Sequence, residues 1–209
     1  MKNILLTLNF VLFGLILSIA QGQYESGMGQ AFDLWTNGKH AEAVALFERI
    51  SQAETENWLP SYYAANVLIT QSFAPGDLEQ RFAYLESAKA HIEKCHERSP
   101  DNSEVYTLEG LLYTGYVAAD PGTYGMTHSQ KIMDLHGKAL ELDPDNPRAL
   151  SNSIEYEMGT ARFFGQDLTP FCERLNEMLP LFEKQNSEIP FAPKYGKERV
   201  TQIISQCGS

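Results

Sequence analysis

The side chains that could do chemistry are few and scattered. Five histidines, three cysteines and a loose acidic group, Glu155, Glu157 and Asp167, are the candidates. His91 and His96 lie five apart, on different faces of any helix that carries them. His128 and His136 lie eight apart, two turns along a face and too distant to share one metal unaided. Solvated or capping roles suit these histidines better than ligation, so no metal is expected. The acids could serve general acid–base work, but solvated helix surface is the preferred reading. The chain has no Walker loop, no G-x-S-x-G and no H-E-x-x-H. Neither a catalytic residue nor a cofactor is expected. Tyr62, Tyr63, Tyr106, Tyr113, Tyr116 and Tyr124 could stack a sugar, though tyrosines at helical spacing more often fill a core and keep a wet hydroxyl.

The positioning elements show in the punctuation. Lys138 to Leu150 reads as a helix end, a stop and a new start. Pro144 and Pro147 cannot sit in a helix interior, and Asp143, Asp145 and Asn146 suit caps. The same joint recurs around Pro100, and more weakly at Thr55. Small helix positions at Ala43, Ala88 and the equivalent Ile132 stand a constant 12 residues before Thr55, Pro100 and Pro144. The next helix positions, Ala65, Gly110 and Ile154, follow after a constant 10 residues. Fixed spacing on both sides of a joint is the mark of stacked repeats.

This pattern resembles the tetratricopeptide repeat, a helix–turn–helix unit. Ala31, Gly38, Ala43 and Phe47 match its small, turn, small and aromatic positions. The expected architecture is an all-α, right-handed solenoid. Its units span 24–57, 58–102 and 103–146, with a degenerate fourth from 147, so that repeats cover 23–166 and capping helices 167–209. Two units carry about ten extra residues between their helices. Gln71–Asp77 and Ala119–Met126 contain these, and Pro-Gly in each reads as a turn. Gly110 should sit where two helices approach closely, and Cys95 should lie inside the stack.

The resemblance implies a non-catalytic protein–protein interaction scaffold whose A helices line a concave groove. In that register the groove comprises Tyr62, Asn66, Ile69, Thr107, Leu111, Arg148, Asn152 and Glu155, with Arg162 just beyond. Met28, Phe32, Trp35, Leu59, Thr114, Ser151 and Met158 extend it, Phe32 and Trp35 being candidates for core as much as for groove. Two arginines in an acidic chain could hold a carboxylate, and the aromatics could anchor a peptide. The competing reading is a small-molecule or glycan binder with a closed pocket near Arg148, Arg162 and the long turns.

Residues 1–22 read as a secretory signal peptide. Lys2 is the sole charge, Ile4 to Ala20 is almost wholly apolar, and Ala20-Gln-Gly22 suits a signal peptidase. The alternative, an uncleaved anchor, would need about 20 apolar residues. The expected location is periplasmic or extracellular, without membrane insertion after signal removal. The formal charge of −11 becomes −12 once Lys2 is lost, which disfavours nucleic acid and anionic lipid. Export also permits a disulfide. Cys172 and Cys207 either pair or stay as free thiols. The pair is preferred, as a pin between the terminal helix and the helix before it.

Overall fold

The computed structural model describes residues 21–185 and 187–207, so the expectation for residues 1–20 lies outside the described residues. The chain is an all-α solenoid. Helix α1 covers 21–36 and includes the expected cleavage position. It is followed by α2 (His40–Ala53), α3 (Leu59–Ser72), α4 (Leu78–Arg98), α5 (Ser103–Ala119), α6 (Pro121–Leu142) and α7 (Pro147–Phe163). Helix α8 (Thr169–Met178) passes into a 3-10 segment, Leu179–Lys184, where Pro180 removes a helix donor. An irregular strap, residues 187–196, then leads to α9 (Lys197–Ser205). Among the described residues no helix is long and apolar enough to cross a membrane.

The joints are built by capping. Asn102 accepts from the Glu104 amide at 2.9 Å, starting α5. Asn146 accepts from the amides of Arg148 and Ala149 at 2.9 and 3.1 Å, starting α7, and Pro147 occupies the first turn, where its missing N–H costs nothing. Asn146 is buried, and its amide donates to Ser103 and Glu104 of the neighbouring unit. The joint therefore both starts a helix and ties it to the helix beside it.

The expected long turns need correction. Only Phe73–Asp77 separates α3 from α4, and Asp120 alone separates α5 from α6. Most of the extra residues lengthen α4 and α6, which have 21 and 22 residues against 14 in α2. Asp120 accepts from the Thr123 amide, and Pro121 sits at the first helical position. Helix initiation at this pair overrides the turn that Pro121-Gly122 suggests.

Ala31, Ala43, Ala65, Ala88 and Cys95 are fully buried in one core, and Ile132 is fully buried as well. Helix α3 is buried on nearly every side, as expected of a helix in the middle of a stack. At Gly110 an added Cβ would stand 2.5 Å from the His136 ring, so glycine is what lets α6 seat an imidazole against α5. A second, smaller core joins Ile154 and Met158 of α7 to Leu175, Met178, Val200 and Ile203 of the cap. Cys172 and Cys207 are joined by a disulfide across that core, and Cys95 is a buried free thiol.

Candidate functional site

The concave face is where α1, α3, α5 and α7 should present side chains to a partner. The strap fills it instead. Phe191 packs against the Phe32 ring at 5.8 Å and edge-on to Tyr24 at 5.7 Å. The Tyr63 hydroxyl donates to the Phe191 carbonyl at 2.7 Å. Tyr195 reaches deeper: its hydroxyl shares a 2.5 Å hydrogen bond with that of Tyr62 and accepts from the Asn66 side-chain amide. Phe32 and Trp35 stack together and pack on the core, and Met28 and Leu59 are buried.

The expected groove residues therefore divide. Tyr62, Asn66, Ile69, Thr107 and Arg148 are buried, Leu111, Asn152 and Glu155 are half-buried, and Arg162 is exposed. The idea of paired arginines is corrected. Arg148 and Arg162 sit at opposite ends of α7, fourteen residues or roughly 21 Å apart at the helical rise. Arg148 is 4 % exposed and already committed. It donates from Nε and Nη2 to the two Glu104 oxygens at 2.7 and 2.6 Å, and from Nη1 to Gln185 at 2.7 Å and to the Tyr195 carbonyl at 3.3 Å. Burial opposes its charge, but the Glu104 carboxylate outweighs burial and raises its pKa further. It anchors the strap and is not a free clamp for a ligand. Arg162 lines a separate cleft beside the disulfide, with Asp167 and Glu173.

The acids are likewise occupied. Glu155 accepts from Arg199 at 3.2 Å, Glu157 takes Arg174 bidentately at 2.5 and 3.2 Å, and Asp167 accepts from the Thr169 amide and hydroxyl at 3.0 and 2.8 Å. Solvated histidines are corrected too. His91 is buried and bonds Glu48 at 3.0 Å, while His96 bonds Glu109 at 2.8 Å. His128 packs among the rings of Tyr113, Tyr116 and Tyr124 at 5.0–5.7 Å, and Phe82 completes this cluster against Tyr116 and Tyr124. Among the described residues no group of three or more His, Cys, Asp or Glu is placed to hold a metal ion.

His136 is 1 % exposed, and neither ring nitrogen has a hydrogen-bond partner among the described residues. Burial lowers its pKa from 6.5 to about 4, with Glu157 opposing weakly. Folded protein therefore keeps it neutral where the unfolded chain would protonate it. Its contribution is complete above pH 6.5 and lost as pH falls toward 4, worth roughly 3 kcal/mol in total. Urea midpoints at pH 7 and pH 4.5 should separate by less in His136→Leu than in the parent; equal separation would remove His136 as the cause.

Beside the filled groove lies a cleft of about 600 Å³. Its scaffold wall is the two joints, with Asp101, Asp143 and Asp145; its opposite wall comes from the 3-10 segment and the strap, with Lys184, Lys194 and Ile189. Trp58, Leu142 and Leu181 supply apolar surface. Sequence reasoning missed Trp58 and the two lysines. Trp58 lies just before α3, and both lysines lie beyond the repeats, where no register assigns them a face.

Fold and site together define a helical-repeat protein whose concave face is closed by its own C-terminal segment. Solved structures share the architecture. The HusA haemophore from Porphyromonas gingivalis is similar at a TM-score of 0.75 and 21% identity, covering 88% of this chain and 92% of that one. MamA, from residue 41 to its end, from Desulfovibrio magneticus RS-1 is similar at a TM-score of 0.50 and 18% identity, covering 78% of each chain. At these identities the likeness is one of fold. No family model and no curated protein sequence matches the chain.

Proposed function

We propose that the chain is an exported, non-catalytic binding protein built on tetratricopeptide-like units, and that it carries a small molecule in the cleft between the joints and the strap. One observation carries the reading: residues of the chain itself occupy the concave face, and an unfilled space of small-ligand size remains at its polar end. Glu104 and Arg148, which line the cleft, are committed to each other, and this pair argues for holding a ligand, not transforming it. The disulfide suits an oxidising compartment.

The likeness to a haemophore makes haemin the first ligand to try. Trp58, Leu142 and Leu181 could face the macrocycle, with Lys184 and Lys194 on its propionates. Haemin should quench Trp58 emission with a saturable 1:1 titration. Lys184→Ala combined with Lys194→Ala should weaken binding about tenfold, near 1.4 kcal/mol. Quenching that never saturates, or an affinity indifferent to both lysines, would reject haemin in this cleft. An interaction scaffold working through the concave groove is a separate reading, favoured by the non-helical segment already seated there.

A further inference from the structure

The strap is bound to the repeats much as a foreign peptide would be. Among the described residues, no backbone-to-backbone hydrogen bond joins residues 187–195 to the repeats. Side chains of the repeats make the attachment: the Phe191 ring meets Tyr24 and Phe32, the Tyr195 hydroxyl meets Tyr62 and Asn66, and the carbonyls of these two anchors, four positions apart, accept from Tyr63 and Arg148. Phe191 holds a φ of 62°, a left-handed conformation that disfavours a bulky side chain. Ile189, just before the anchors, stays 55 % exposed. Aromatic capture, no ladder of main-chain bonds and a strained residue at the main anchor describe a contact that can be exchanged.

We infer that the strap is an internal stand-in for a partner. The concave face recognises a proline-flanked segment that turns at its first anchor, as Ile189–Ala192 does here, and carries two aromatic side chains four positions apart; the strap keeps that face closed until such a segment displaces it. Pro190 and Pro193 restrict the strap to extended or turn backbone, which lowers the entropy lost on seating and sets the pattern a competitor should share. The acidity of the chain adds preference for a neutral or basic segment. This inference is independent of haemin binding in the cleft and survives its failure.

The test uses a labelled peptide with the sequence of residues 187–196 and a control with both aromatics replaced by alanine. The strap-opened variant, Phe191→Ala with Tyr195→Ala, should bind the first peptide at low micromolar concentration and the control at least thirtyfold more weakly. Wild-type protein should bind the first peptide at least thirtyfold more weakly than the opened variant does. A folded variant, checked by circular dichroism, that binds neither peptide overturns the proposal. Should the variant unfold, hydrogen exchange on wild type decides. Excess aromatic peptide should speed exchange in residues 187–196 at least tenfold, and unchanged exchange overturns the proposal.

Discussion

Arg148→Ala is expected to cost about 3–5 kcal/mol, the range for breaking a buried ion pair from one side. Glu104 has a side chain only 14% exposed and loses a bidentate partner whose two bonds are 2.7 Å or shorter. Tyr62 at 3.3 Å and the Asn146 amide at 2.8 Å remain, but neither supplies positive charge. Gln185 and the Tyr195 carbonyl are released as well, so the strap loosens with the helix pair. The melting temperature should fall by roughly 10 °C for a chain of this size. Glu104→Gln with Arg148→Met should recover part of the loss, because a neutral pair strands no charge. A double variant no more stable than Arg148→Ala would show that the strap contacts, and not the stranded carboxylate, carry the cost.

The second large effect lies at the cap. Cys172→Ser with Cys207→Ser should destabilise the cap by about 3–4 kcal/mol, the chain-entropy value for a loop closed across 35 residues. Without the bridge, α9 depends on buried Val200 and Ile203 and on the exposed pairs Arg199–Glu155 and Lys197–Glu183 for its attachment, so the loss should appear first as hydrogen exchange in α9 and the strap, before the repeats open. Uniform loss of protection along the chain would contradict a separate capping core. Thiol counting checks the chemistry. The buried Cys95 thiol is pushed up to about 12 by burial and should stay unreactive in folded protein. One thiol should appear on unfolding without reductant and three with it.

The repeats were legible because joint chemistry is local. Proline, a capping side chain and a small residue at fixed intervals need no distant information. The paired long turns misled because Asp120-Pro121 starts a helix as readily as Pro121-Gly122 makes a turn. The ion pair was within reach of the register. Glu104 and Arg148 both fall four residues after their joint prolines, so they occupy equivalent places on adjacent helices and carry opposite charges. Reading Arg148 alone made it a ligand clamp; reading it beside its equivalent makes it a lock. The strap had no such signal. Phe191 and Tyr195 sit in a proline-bounded segment without helical period, and their partners lie about 130 residues earlier in the chain. Only tertiary structure brings these segments together.

The strap also has two sides. Phe191 and Tyr195 close the concave face, while Ile189, Ala192, Pro193 and Lys194 wall the cleft. One short segment is thus a boundary of both spaces. Any molecule that prefers the seated strap must, by thermodynamic reciprocity, be bound less well when the strap is drawn away, and by the same factor that it resists the drawing. A cargo in the cleft and a guest on the concave face are then antagonists by geometry. Arrival of one would be the signal that unloads the other.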